Sequence, residues 1–134
     1  MIVDRNGERM SISNNVYKFF NNKLQIKVDG SSIIMTGEIN EKEPGKDLKD
    51  FFEELNLYFV DKKINEVSID VRSLFFLNSS GIKEIIKWVM NLNEIYRKSH
   101  GKIKFYCSKD IIWQKPSFVP ISNISPGIIY VNEV

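Results

Sequence analysis

Residues 67–88 read VSIDVRSLFFLNSSGIKEIIKW, and a change of hydrophobic period within them decides the fold. Every second residue from Val67 to Val71 is apolar, which predicts a β-strand with one buried face. From Ile82 onward, apolar residues recur every three or four positions, as in an amphipathic helix. Between these two patterns stands Asn78, a good N-cap, followed by two serines and a glycine. The stretch therefore predicts a strand that leads directly into a helix.

The flanking sequence predicts the remaining elements of an α/β fold. The segments 24–29 and 32–39 read as a hairpin around Gly30, and apolar residues at helical spacing predict a helix over 46–61. The helix that begins after Asn78 should end at His100-Gly101, and strands are predicted over 102–108 and 127–133. Between these last two strands, prolines limit any helix to a short one. The order β-β-α-β-α-β-(short α)-β predicts a mostly parallel β-sheet with an N-terminal β-hairpin and helices packed on it.

Composition excludes several classes of protein. The 134 residues are 43% hydrophobic and 27% charged, which is ordinary for a globular protein. A net charge of +2, with acids and bases interspersed, argues against a nucleic-acid or membrane partner. No apolar run approaches the length of a membrane span, and a lone Cys107 fits a reducing compartment. We therefore expect a cytoplasmic protein.

The N-terminal segment shows no hydrophobic periodicity. We expect residues 1–15 to be loosely ordered and residues 16–134 to form a single domain. Met10 is an alternative start to Met1, because the nine residues before it are largely polar.

No arrangement of residues points to an enzyme. His100 is the only histidine, and along the predicted helix it lies about 30 Å from Ser80, at about 1.5 Å per residue. The sequence contains neither a G-x-S-x-G motif nor a cluster of metal-ligand residues. We therefore expect no catalytic residues, no metal and no cofactor.

The serines before Gly81 are the candidate site. Glycine near a helix start costs about 1 kcal/mol relative to alanine, which suggests that another group approaches this backbone closely. A helix N-terminus favours an anion, so a phosphate on Ser79 or Ser80 would be stabilised there. Lys83, one turn after Ser80, could pair with such a phosphate. The simpler interpretation of the same residues is an ordinary helix start.

The segment resembles the signature of the STAS domain, the fold of bacterial anti-sigma factor antagonists. The family pattern is an apolar strand ending in Asp, then Phe-hydrophobic-Asp-Ser-Ser/Thr-Gly at the start of a helix. Ile69-Asp70 matches the end of the strand, and Phe76-Leu77 with Ser79-Ser80-Gly81 matches the rest. The chain departs from the pattern at Asn78, where the family has an acid. The segment 113–117, WQKPS, more weakly resembles a subgroup of small STAS-like bacterial regulators.

The resemblance implies a regulatory switch. In the family, a serine kinase that doubles as the anti-sigma factor phosphorylates the hydroxyl residue before the glycine, which corresponds to Ser80, and a metal-dependent phosphatase reverses the modification. Ser79 is the second choice for the modified residue. The surface that contacts the partner would comprise Asn78, Ser79, Ser80, Gly81 and Lys83. The oligomeric state is left open.

Two alternatives remain at this point. One is a constitutive interaction module of the same fold that is never phosphorylated. Asn78, which replaces the acid of the family pattern, is the feature that favours this alternative. The other is a sensor of a small ligand or nucleotide that uses the same helix end as an anion site. Trp88 is either packing at the flank of its helix or an anchor for a partner. Phe75 and Phe76 should point to opposite faces of their strand, with one of them exposed.

Overall fold

The structure is a computed structural model, and it describes Ile12 and residues 15–134. The alternative start at Met10 and most of the segment predicted to be loosely ordered lie outside the described residues. Ile12 is buried in the core, and Asn15 begins the first strand. The elements in chain order are β1 (Asn15–Phe19), β2 (Leu24–Asp29), β3 (Ser32–Ile39), α1 (Gly45–Asp61), β4 (Glu66–Leu77), α2 (Ser79–Ser99), β5 (Lys102–Cys107), α3 (Gln114–Ser122) and β6 (Ile129–Glu133).

The six strands form one sheet in the order of the sequence, from β1 to β6. β1, β2 and β3 pair antiparallel, whereas the neighbours from β3 to β6 pair parallel. The predicted α/β class, the hairpin and the mostly parallel sheet are confirmed. β1 was not predicted. It is joined to β2 by a turn in which Phe20, Asn21 and Asn22 have positive φ values of 56–67°.

The helices cover one face of the sheet. Register places Tyr17 of β1 on the same face as Phe105 of β5, through the intervening strand pairs. The Tyr17 ring contacts Phe51 of α1 at 5.0 Å, and the Phe105 ring contacts Phe118 of α3 at 5.1 Å. α2 packs beside α1. Parallel strands added in one direction through right-handed crossovers produce this one-sided arrangement.

Two features of the backbone of β3 place the end of this strand beside the start of α2. Gly37 has a φ of 109°, and a Cβ atom there would overlap the carbonyl oxygen of Lys23. The register between β3 and β4 also shifts between Gly37 and Glu38. As a result Ile39, the last residue of β3, pairs with Leu77, the last residue of β4. Both side chains therefore lie directly beneath the first turn of α2.

The helix ends agree with the sequence patterns. α2 ends at Ser99 and is capped by His100, whose φ of 57° is left-handed, and the Gly101 amide donates to the Tyr96 carbonyl. α3 is short and contains Pro120. No helix among the described residues has an apolar stretch long enough to span a membrane.

Candidate functional site

Asn78, the N-cap of α2, holds the residues of the candidate site in position through three hydrogen bonds. The side-chain oxygen of Asn78 accepts a hydrogen bond of 2.7 Å from the Gly81 amide, as predicted for an N-cap. Its side-chain nitrogen donates to the carbonyl oxygen of Glu41 at 3.0 Å. Its backbone amide donates to the Ile39 carbonyl. Asn78 therefore joins three pieces of backbone: the end of β3, the loop after it, and the start of α2.

The donor on Asn78 accounts for its presence where the STAS pattern has an acid. An aspartate could cap the helix equally well, but it has no proton to offer the Glu41 carbonyl at neutral pH. Its carboxylate would instead face that carbonyl oxygen. The amide therefore keeps the 40–44 loop attached beside the two serines.

Replacing Asn78 with aspartate should lower the free energy of unfolding by about 1 kcal/mol, because a hydrogen bond is lost next to a carbonyl oxygen. The favourable interaction of a carboxylate with the helix N-terminus offsets part of this loss. Denaturant unfolding measures the change. Asn78→Ala, which removes the cap as well, should be less stable than Asn78→Asp. An aspartate variant as stable as the wild type would contradict the role of the Glu41 contact.

Gly81 lies where the chain approaches itself. It is buried, and a Cβ atom built on it would lie 2.7 Å from Cδ1 of Leu77 and 2.8 Å from Cγ2 of Ile39. The close approach inferred from the sequence thus comes from β3 and β4. This corrects the expectation that Gly81 offers its backbone to a partner, because an incoming surface meets the exposed side chains of Ser79 and Lys83 instead.

Gly81→Ala should therefore destabilise the fold by about 1–2 kcal/mol, since overpacking outweighs the helix propensity that alanine gains. Thermal unfolding measures the change. In a double-mutant cycle, Leu77→Ala should reduce the penalty because it removes the nearest atom. A raised melting temperature for Gly81→Ala alone would show that α2 moves freely away from the sheet.

A lysine-lined hollow lies beside Ser80. Its volume is about 330 Å³, and the 40–44 loop and the start of α1 form one wall and α2 the other. Four lysines line it together with two glutamates: Lys42, Lys46, Lys83, Lys87, Glu43 and Glu84. Lys83 was predicted to lie near a phosphate on Ser80. The other three lysines were missed, because they come close to Ser80 only when the 40–44 loop, the start of α1 and the third turn of α2 are folded together.

Exposed apolar side chains precede the serines at the end of β4. Phe75 is 66% exposed and Phe76 is 46% exposed, so the expectation that only one of them would face solvent is wrong. Ile112, in the loop before α3, is 87% exposed. The neighbouring Trp113 donates its indole N–H to the Phe75 carbonyl at 3.2 Å. Exposed aromatic side chains beside a polar rim are typical of protein-binding surfaces.

Gln114 holds that loop against β4. Its side chain is fully buried and donates to the carbonyl oxygens of Val71 at 2.6 Å and Leu74 at 2.9 Å. It also accepts a hydrogen bond of 2.7 Å from the Ser108 amide. Pairing between β4 and β5 ends at Asp70, so the Gln114 side chain takes the place of a strand beyond that point. The residue lies in the WQKPS segment, but its role was not predicted.

Three other residues discussed from the sequence, Trp88, Cys107 and Asp70, have structural roles. Trp88 is 2% exposed, stacks on Phe52 and donates to Asn56 at 2.8 Å, so it is packing and not an anchor for a partner. Burial raises the pKa of the Cys107 thiol to about 11, with smaller contributions from nearby carboxylates. Burial also acts to raise the pKa of Asp70, but the hydrogen bonds and charge of Arg72 leave it below its usual value.

The structure does not bring Ser80 and His100 together, since they lie at opposite ends of α2. Among the described residues, no group of three or more His, Cys, Asp and Glu side chains is arranged to hold a metal ion.

The comparisons with known proteins support the fold. No protein-family model matches the chain, and a search of curated proteins found no significant match. Among solved structures, SiaC of Pseudomonas aeruginosa matches 90% of this chain and 99% of its own, with 11% identity and a TM-score of 0.66. Apo-SiaC from Pseudomonas aeruginosa matches 88% and 98%, with 12% identity and a TM-score of 0.67.

A third match is a chain in the crystal structure of the diguanylate cyclase SiaD in complex with its activator SiaC, also from Pseudomonas aeruginosa. It covers 90% of this chain and 99% of that chain, with 11% identity and a TM-score of 0.68. At such low identity these similarities establish the fold alone. The chain has a STAS-like fold.

Proposed function

We propose that this chain is a bacterial, non-enzymatic regulatory protein that binds a partner protein through the start of α2, and that phosphorylation of Ser80 controls the binding. One observation carries the proposal: Ser80 borders a hollow lined by four lysines and two glutamates, and two exposed phenylalanines, Phe75 and Phe76, lie at the end of the strand that leads into α2. The phenylalanines supply apolar contact area, and the lysines and the helix N-terminus stabilise a phosphate.

The geometry favours Ser80 over Ser79 as the modified residue. Ser80 lines the hollow directly, whereas Ser79 does not contribute to its wall. Asn78, which replaces the acid of the family pattern, leaves one negative charge fewer beside the hydroxyl. That change favours the phosphorylated product, because the cap adds no carboxylate to Glu43 and Glu84, and the new dianion also meets four lysines and the helix N-terminus.

Two classes of partner fit this proposal. The STAS resemblance implies a serine kinase of the anti-sigma type and a metal-dependent phosphatase that reverses its action. The similarity to SiaC, described as the activator of the diguanylate cyclase SiaD, makes a diguanylate cyclase a second candidate. The STAS-like fold and the exposed surface at the end of β4 are consistent with both.

The first test is to map phosphorylation in the native cells. We expect mass spectrometry of the purified protein to find phosphate on Ser80, and Ser80→Ala to abolish it while Ser79→Ala retains it. The alanine variant should still bind the partner, because a hydroxyl near a helix start contributes only about 0.5–2 kcal/mol to stability. Phosphate on Ser79 alone would move the assignment by one residue. An unmodified protein under every growth condition would favour the constitutive module.

The second test separates the two classes of partner. A photoreactive amino acid in place of Phe76 should cross-link to the bound protein in the native cells. The same replacement at Lys104, on the sheet face opposite α1, α2 and α3, serves as the control. Identification of the cross-linked protein as a kinase-type ATPase or a diguanylate cyclase decides between them. Equal cross-linking at both positions would contradict an interface at the start of α2. Binding of a nucleotide without any protein cross-link would instead favour the ligand sensor.

A further inference from the structure

A second cavity continues the hollow beside Ser80 along the seam between α1 and α2. This groove has a volume of about 380 Å³ and is lined by residues of both helices. The two cavities share four lining residues: Gly45, Lys46, Glu84 and Lys87. The groove and the hollow are therefore one continuous depression that begins at Ser80 and runs toward the middle of α2.

The floor of the groove is a rigid aromatic pair that is almost fully buried, with Phe52 4% and Trp88 2% exposed. The rings of Phe52 and Trp88 stack in parallel, with centroids 4.4 Å apart and an interplanar angle of 2°. The Trp88 indole is further fixed by its hydrogen bond to Asn56, which also lines the groove. Because these side chains are held by each other, the groove exists without any rearrangement by a ligand.

The groove is lined by three lysines and by two glutamates, Glu53 and Glu84. Lys46 and Lys49 come from α1, and Lys87 comes from α2. Lys87 pairs with Glu84 at 3.2 Å. Within the part of the chain that the structure describes, Lys46 and Lys49 form no ion pair, so both are available to an external anion.

We propose that the groove receives an acidic segment of the partner protein, whose carboxylates pair with Lys46 and Lys49. A phosphate on Ser80 competes for this segment, because Lys46 and Lys87 border both cavities. The inference rests on the proposed function and names the chemistry of its partner. It also gives the switch a physical basis: the phosphate neutralises the charges that attract the partner.

Cross-linking in the native cells tests the position and the chemistry of the occupant. A photoreactive amino acid at Asn91, an exposed residue that lines the groove, reports on the groove, and one at Phe76 reports on the proposed interface. We expect both to capture the same protein, and peptide sequencing to show an acidic segment at Asn91. Capture at Phe76 alone, or a neutral or basic peptide at Asn91, overturns the groove proposal but leaves the proposed function standing. Absence of capture at both positions overturns the proposed function as well.

Charge reversal supplies the quantitative test with the captured protein. Lys46→Glu together with Lys49→Glu should weaken binding at least tenfold and reduce its dependence on salt. Lys62→Glu together with Lys98→Glu makes the same change of charge at exposed positions outside the groove, so this pair is the matched control and should leave the affinity unchanged. Circular dichroism and thermal unfolding show whether the variants remain folded. Equal affinities for the folded double variant and the control overturn the proposal, as does an affinity independent of salt.

Discussion

Replacing Gln114 with alanine should lower the free energy of unfolding by about 3 kcal/mol, because buried backbone groups lose their hydrogen-bond partners. The wild-type side chain makes three hydrogen bonds, two to carbonyls of β4 and one from the Ser108 amide. A loss of this size corresponds to a drop in melting temperature of roughly 6–12 °C for a chain of this length. Denaturant and thermal unfolding both measure the change.

The size of the effect follows from where Gln114 lies. Beyond Asp70, β4 no longer pairs with β5, and the Gln114 amide supplies donors to the carbonyls of Val71 and Leu74. Gln114 is itself fully buried. Alanine would leave a cavity as well as carbonyls without donors, and both effects destabilise the native state.

Two comparisons isolate the hydrogen bonds from the cavity. Gln114→Met keeps most of the side-chain volume and should still cost more than about 1 kcal/mol, since only the polar contacts are lost. Lys115→Ala changes an exposed neighbour in α3 and should be nearly neutral. A methionine variant as stable as the wild type would show that Gln114 contributes through packing alone.

Local patterns predicted those parts of the fold that local chemistry controls. The change from period two to helical period located β4 and α2, and the N-cap and left-handed C-cap of α2 follow from Asn78 and His100. β1 was missed because its five residues are followed by a turn of non-glycine residues, which carries none of the usual turn dipeptides.

The site was predicted less completely because it is assembled from distant residues. The sequence indicated that something approaches Gly81, but the neighbour is Ile39, whose position depends on the pairing of β3 with β4. Asn78 was identified as a cap, yet its second hydrogen bond reaches the carbonyl of Glu41, 37 residues earlier. No local pattern encodes such contacts, and the lysines around Ser80 follow from them.

Phosphorylation of Ser80 should weaken partner binding about a hundredfold, which corresponds to about 2.7 kcal/mol. A phosphoserine adds about −1.5 to −2 charges at pH 7. A partner that covers the site must desolvate that dianion or move away, and an unpaired buried charge costs several kcal/mol. Isothermal titration of the wild type and the phosphoserine protein against the captured partner measures the loss.

The same modification should leave the fold intact or slightly more stable. The phosphate lies at the start of α2, where free amides and the helix dipole contribute about 0.3–1 kcal/mol at exposed positions. Pairing with a lysine of the hollow adds roughly 0–1 kcal/mol. Thermal unfolding of the phosphorylated protein checks this. A melting temperature well below that of the wild type would mean that phosphorylation acts by unfolding the site and not by changing its charge.

Aspartate variants show which serine controls the affinity for the partner. Ser80→Asp should reproduce part of the loss of affinity, because it adds one negative charge at the hollow. Ser31→Asp makes the same change at an exposed turn before β3. This turn is at the opposite end of β3 from Ile39, which lies beneath α2, so the variant should leave binding unchanged. If Ser79→Asp weakens binding more than Ser80→Asp, the switch resides on Ser79. If the phosphoserine protein binds as tightly as the wild type, charge at this helix start does not control the interaction, and the constitutive module becomes the better description of the chain.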